Sequence, residues 1–110
     1  MLGRFLNFVA LSVLLFLGVH PALHAEVDGE ELHQMMQREA SREVAQVFID
    51  DVWQKWNDGL FCIPGGDRQK LAFDAVDAYL ESHPGELFRP RRYLIVQALR
   101  SGFPCPARQD

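Results

Sequence analysis

The sequence has few of the residues that common enzyme classes need at their reacting centres. It contains no threonine and four serines, and none of the serines lies in a Gly-x-Ser-x-Gly pattern. A serine-hydrolase nucleophile is therefore not indicated. Gly65-Gly66 lacks the lysine and the spacing of a phosphate-binding loop. Because no convergent set of titratable groups is visible, we expect no catalytic activity and no cofactor.

Positive charge is also scarce. The chain of 110 residues carries 11 Lys and Arg against 15 Asp and Glu, a formal net charge of −4. A nucleic-acid-binding domain would show a basic stripe, and the sequence has none, so we expect no nucleic acid among its partners. The acidic balance fits a soluble protein or one that is attracted to a basic partner.

Residues 1–25 have the organisation of a secretory signal peptide. Arg4 provides the positive start, an apolar run covers residues 5–19, and Ala25 offers a cleavage position. The run is shorter than the about 20 apolar residues that span a membrane, although an uncleaved anchor is the alternative. We therefore predict a periplasmic protein with a single mature domain, residues 26–110, and no membrane attachment after cleavage.

Three helical segments are predicted, and no strand. The first covers about residues 30–56, behind an Asp28-x-x-Glu31 capping box. A polar interruption near Ser41 leaves open whether this segment is one helix or two. Its apolar residues recur at helical spacing: Leu32, Met36, Ala45, Phe48, Ile49, Val52, Trp53 and Trp56.

The other two segments follow loops that are rich in glycine and proline. Asp67 can cap a second helix that ends near Ser82, before Pro84-Gly85. Pro90 fits the first turn of a third helix, and Gly102 fits its C-cap. The predicted inner faces are Ala72, Ala75, Val76, Tyr79 and Leu80 in the second helix, and Tyr93, Leu94, Val96, Ala98 and Leu99 in the third. We predict an all-α fold, a small bundle of three to four helices.

Cys62 and Cys105 are the only cysteines. Two cysteines in a short exported chain most simply form one disulfide. It would close a loop of about 44 residues and add about 4 kcal/mol in the chain-entropy model. A zinc site that adds His33 and His83 is the alternative, but no pair of these residues has finger-like or i, i+4 spacing. We therefore predict a bundle closed by one disulfide, without a metal site.

Asp50 and Asp51 are adjacent carboxylates in the interior of a predicted helix. Paired carboxylates can divide acid and base roles when their environments differ. Neighbouring helical residues point about 100° apart, however. We therefore favour a solvated face beside Lys55 over a shared acid–base site.

Trp53 and Trp56 extend the apolar stripe of the first segment towards Leu60-Phe61. Most of such a stripe is expected to be core. Its width leaves room for a dimer surface, because aromatic side chains are enriched at interfaces.

The run Arg89-Pro90-Arg91-Arg92 is unusual at the start of a helix, where the macrodipole favours anions. It is either a solvated patch balanced by Glu81 and Glu86, or a docking patch. In the second case the arginines would bind the carboxylates of a partner through bidentate pairs. The residues alone leave both interpretations open.

Three motifs of the C-terminal half occur in a specific order and spacing. They are Phe61-Cys62-Ile63-Pro64, then Ala75-Val76-x-x-Tyr79-Leu80-x-x-His83-Pro84, then Val96-x-Ala98-Leu99-x-x-x-Phe103-Pro104-Cys105. With these motifs the chain resembles the Rap/Tai family of immunity proteins, best over residues 60–105. It departs from the family pattern at Asp51, where a small residue is usual, and at Arg91 and Arg92, where smaller or apolar residues are usual.

The resemblance implies a periplasmic protein that binds and inhibits a peptidoglycan amidase toxin delivered by type VI secretion. Such proteins block the active-site cleft of the amidase and typically form homodimers. The resemblance does not identify the contact residues. From the concentration of polar groups we expect the partner to bind between residues 81 and 92. The candidate contacts are Glu81, His83, Glu86, Arg89, Arg91 and Arg92.

A function of another class is the alternative. Small acid-activated helical chaperones of the periplasm are also signal-bearing and carry one disulfide. That interpretation predicts that low pH protonates the many carboxylates and exposes apolar surface.

Overall fold

A computed structural model describes residues 27–107, and this part of the chain forms four α-helices and no β-strand. The helices are α1 (Gly29–Gln37), α2 (Glu39–Trp56), α3 (Arg68–Ser82) and α4 (Arg91–Gly102), with a 3-10 turn at Pro84–Glu86. The predicted all-α bundle is confirmed. The predicted signal peptide lies outside the described residues.

The first predicted segment is two helices, and they meet at Arg38 rather than near Ser41. Arg38 has an extended backbone (φ −98°, ψ 126°), which ends α1 and leaves the carbonyls of its last turn without helical partners. Two side chains from the start of α2 compensate. Ser41 Oγ donates to the carbonyl of Met35 at 3.0 Å, and Arg42 Nε donates to that of Met36 at 3.2 Å. The junction is therefore a supported corner.

The predicted helix caps are present, with small shifts. The backbone N–H of Glu31 donates to Asp28 at 3.0 Å, and that of Lys70 donates to Asp67 at 3.1 Å, so both aspartates are N-caps. At α4 the prediction is wrong by one residue at each end. Pro90 is the N-cap, and Gly102 is the last helical residue.

The core contains most of the predicted apolar faces. Its buried residues are Leu32, Met36, Ala45, Ile49, Val52, Phe61, Ile63, Ala72, Val76, Leu80, Leu94, Ile95, Ala98 and Leu99. Trp56 and Tyr93, predicted as inner-face residues, are 43% and 41% exposed. Phe61, at the end of the aromatic stripe that had room for a dimer surface, is fully buried. It lies in the connection between α2 and α3, so this loop contributes a side chain to the hydrophobic core as well as reversing the chain.

The disulfide prediction is confirmed. Cys62 and Cys105 are bonded, with their Cα atoms 4.8 Å apart. The backbone N–H of Cys62 also donates to the carbonyl of Phe103 at 2.8 Å. The bond therefore joins the segment before α3 to the segment after α4, and encloses both helices in one covalent loop.

None of the helices described within residues 27–107 is long and apolar enough to cross a membrane.

Candidate protein-binding site

The start of the described chain holds the loop between the 3-10 turn and α4. The N–H of Gly29 donates to the carbonyl of Arg89 at 2.9 Å, and the N–H of Glu30 donates to that of Leu87 at 3.0 Å. In return, the N–H of Arg91 donates to the carbonyl of Val27 at 3.0 Å. These three backbone bonds fix the path of a loop that would otherwise be free to move. We call residues 87–92, which are this loop and the first two residues of α4, the docking loop.

Gly29 makes this arrangement possible because it is buried and has no side chain. A Cβ at this position would overlap the side chain of Leu94 and lie 3.0 Å from the carbonyl oxygen of Leu87. A larger residue would push α1 away from the loop. Close approach of two backbones is a common reason for glycine.

A connected set of polar and aromatic side chains links the docking loop to α3 and to the 3-10 turn. Tyr79 donates from its hydroxyl to Glu86 Oε2 at 3.1 Å, and its ring stacks on that of His83 with 3.9 Å between centroids. Glu86 also pairs through Oε1 with Arg89 Nε at 3.4 Å. His83, Glu86 and Arg89, three of the predicted contacts, are thus brought together by Tyr79.

Arg89 lies close to two aromatic rings. Its guanidinium carbon lies 5.3 Å from the ring centroid of Phe88 and 5.0 Å from that of Tyr93, within the range of cation–π attraction. Arg89 therefore interacts with Glu86 and with both rings, while its side chain stays partly exposed. It positions the aromatic side chains in addition to any contact that it makes with a partner.

Phe88 is the most exposed large apolar side chain of the described chain, at 72%. It lies at the tip of the docking loop, next to Arg89 and beyond the 3-10 turn. An exposed aromatic ring on a backbone fixed by hydrogen bonds is a typical anchor for a protein partner, since little conformational entropy remains to be lost on binding.

Arg91 and Arg92 have different environments. The guanidinium of Arg91 lies 3.7 Å from the ring centroid of Phe48 on α2, so this half-buried arginine packs α4 against α2. Arg92 is exposed, and with Asp51 it borders a small cleft beside Phe48. Arg92 is therefore better placed than Arg91 to meet a partner.

Glu81 does not balance the arginines. Glu86 forms the ion pair with Arg89, whereas Glu81 takes part in no ion pair between residues 27 and 107. Its carboxylate lies instead near His33 and Asp77, on another face of α3. Of the six predicted contacts, Glu81 is thus the one that the fold separates from the docking loop.

The predicted solvated face holds for the exposed Asp51, whereas the half-buried Asp50 is engaged in hydrogen bonds. Asp50 Oδ1 accepts hydrogen bonds from Gln46 at 2.7 Å and from the indole of Trp53 at 2.8 Å, and Oδ2 accepts one from Gln69 of α3 at 3.0 Å. Asp51 is exposed and borders the small cleft beside Phe48. Asp50 is therefore a structural link between α2 and α3, and the two carboxylates share no site.

The alkaline stability of the protein should depend on Tyr79. Desolvation raises the pKa of its phenol above 10, and the hydrogen bond to Glu86 raises it further. Because the folded state favours the neutral phenol, this contribution to stability is complete below pH 10 and is lost as the pH rises through the raised pKa. Between pH 9 and pH 12 we expect the wild type to lose more stability than Tyr79→Phe. Urea titrations of both at several pH values measure this, and identical pH profiles would contradict it.

Sequence reasoning missed Tyr79, Phe88 and Tyr93 as members of this site. Tyr79 and Tyr93 were assigned to helix interiors because their spacing fits an apolar face. Phe88 did carry a usable signal, since it is the one aromatic residue of a short segment between two turn signals, Pro84-Gly85 and Pro90. The backbone pairing of its loop with residues 27–30 could not be predicted from the sequence.

A small helical bundle with a fixed loop that presents an exposed aromatic residue among arginines has the features of a protein-binding protein. The comparison with known families identifies the kind. The chain belongs to the Rap1a immunity proteins, whose family model matches residues 23–105. Membership indicates an immunity protein directed at a type VI secretion effector, and such proteins bind a cognate toxin and are generally not enzymes. Neither the curated proteins nor the solved structures contain a significant match.

Proposed function

We propose that this protein is a periplasmic immunity protein that inhibits a peptidoglycan amidase toxin by inserting its docking loop into the active-site cleft. Family membership supports the toxin-binding role. The single observation that carries the cleft-blocking mechanism is Phe88, which is 72% exposed on a loop fixed at both ends. An apolar tip on a rigid loop is suited to filling a concave site, and a concave site is the usual form of a hydrolase cleft.

The charges around Phe88 support a partner with acidic groups at the rim of its cleft. Arg92 is exposed at the start of α4, and Arg89 flanks the ring. Although the whole chain is acidic, the docking loop is locally basic. Attraction between these arginines and an acidic rim would speed association and select the partner. Burial of Phe88 would supply much of the affinity.

The periplasmic location and a homodimeric assembly are parts of this proposal. The signal-like residues 1–25 support export. Val44 and Val47, 48% and 63% exposed on α2, support a surface for a second copy. Light scattering of the purified protein and of its complex distinguishes a one-to-one from a two-to-two assembly.

Replacing Phe88 with alanine should weaken toxin binding by about 30-fold or more, the loss of about 2 kcal/mol that defines an interfacial anchor. The stability of the free protein should change little, because the ring is mostly exposed. Calorimetric titration against the amidase encoded nearest to this chain measures the affinity, and inhibition of peptidoglycan cleavage by the same variant measures the blockade.

Leu60→Ala is the matched control for this experiment. Leu60 is also exposed, at 43%, but lies in the connection between α2 and α3. It should bind as the wild type does. Equal affinity of Phe88→Ala and the wild type would remove the docking loop from the mechanism. If the wild type bound no amidase of its genome, the amidase proposal itself would be wrong, and an acid titration for exposed apolar surface would test the chaperone function.

A further inference from the structure

A group of potential metal ligands lies where α1 packs against α3. His33 belongs to α1, and Asp77 and Glu81 are one turn apart on α3. Residues at i and i+4 share a helix face, so both carboxylates point towards the same histidine. One ligand atom from each of the three residues lies within 4.8 Å of the other two.

The histidine has an unused nitrogen in this group. His33 Nε2 is buried, and it has no hydrogen-bond partner among the described residues. Its nearest acidic atom, Asp77 Oδ1, is 3.7 Å away, too far for a hydrogen bond. A buried polar atom without a partner is costly, so this nitrogen requires an explanation that the packing alone does not provide.

We propose that His33, Asp77 and Glu81 bind a divalent transition-metal ion that joins α1 to α3. One imidazole and two carboxylates suit Zn²⁺, with water as the fourth ligand. Ligand atoms around tetrahedral zinc are about 3.4 Å apart, so the group must contract slightly. The exposed side chain of Glu81 is free to make this movement.

Asp77 is already oriented by a neighbour on α1. Gln37 Nε2 donates to Asp77 Oδ1 at 3.0 Å. The same oxygen faces His33 Nε2, and a carboxylate oxygen that accepts one hydrogen bond keeps a second lone pair for an ion. Hydrogen bonds to ligating carboxylates are a regular feature of metal sites. The cysteines do not compete for zinc, because both are in the disulfide. This proposal rests on its own residues and is independent of the docking loop.

The test uses the full chain, expressed without a polyhistidine tag and stripped with a chelator. Zinc chloride titrated into this protein should bind with a stoichiometry of one, and a hundredfold excess over Kd should raise the melting temperature by roughly 10–20 °C. Chelator should reverse the shift. Loss of an outer-shell partner weakens metal binding by about tenfold. Glu81→Gln and His33→Gln each remove a direct ligand, so each should weaken zinc binding by more than that.

Asp74→Asn is the matched control, because it removes an exposed carboxylate of the same helix that pairs with Lys70 outside the group. It should bind zinc as the wild type does. Glu81→Gln keeps the test valid if His33→Gln fails to fold, since Glu81 is exposed. Absence of zinc binding, or binding that Glu81→Gln leaves unchanged, would overturn the proposal and leave His33 and Asp77 as an ordinary pair.

Discussion

Replacing Cys62 and Cys105 together with serine is expected to lower the free energy of unfolding by about 4 kcal/mol. The two residues are 43 positions apart and enclose α3 and α4. Without the bond the unfolded chain gains the entropy of that whole loop. A domain of this size has a total stability of only about 5–15 kcal/mol, so the loss is a large share of it. Urea unfolding followed by circular dichroism measures the difference.

The reduced wild type provides an internal control for the disulfide experiment. It should unfold at the same urea concentration as the double-serine variant, because both lack the covalent loop and keep the same helices. A loss below about 1 kcal/mol in both proteins would show that the helical core is stable without its covalent closure, contrary to the loop-entropy argument.

Phe61→Ala is expected to cost about 3–5 kcal/mol, as buried aromatic truncations do. Phe61 is fully buried although it lies outside every helix. Its backbone is held as well, since its carbonyl accepts from the N–H of Asp58 at 2.7 Å. The surroundings are therefore poorly able to collapse into the cavity. Thermal unfolding of the variant measures the loss.

The neighbouring residue supplies the comparison. Leu60→Ala, at a position that is 43% exposed, should cost less than about 1 kcal/mol. A similar loss for Leu60→Ala and Phe61→Ala would mean that the loop, rather than the burial of one ring, determines the effect.

Local signals were sufficient for the helices, the caps and the disulfide. Asp28 and Asp67 cap because their side-chain oxygens reach N–H groups three residues on, and that geometry depends only on adjacent sequence. The two cysteines had one possible intramolecular pairing. The break at Arg38 was harder to place, because the side chains that support it, from Ser41 and Arg42, lie three and four residues further on.

The candidate sites were less predictable because they depend on packing between distant segments. Asp50 was assigned to solvent, yet Gln69 of another helix donates to it. Sequence proximity groups Glu81 with the arginines, but Glu81 lies on the face of α3 that is directed towards His33. Periodicity reports which face of a helix is apolar. It does not report which polar group of another helix will lie opposite.

The backbone pairing between residues 27–30 and the docking loop has a practical consequence for how the protein can be labelled. A tag or fluorophore attached just before Val27 would emerge beside Phe88, because the N–H of Arg91 binds the carbonyl of Val27. On the proposed docking at Phe88, such a label would report partner binding sensitively but would also obstruct it. A label placed after Ala107 follows the disulfide, at the other end of α4, about 18 Å along the helix axis. For affinity measurements, the tag or fluorophore should therefore be attached at the C-terminus.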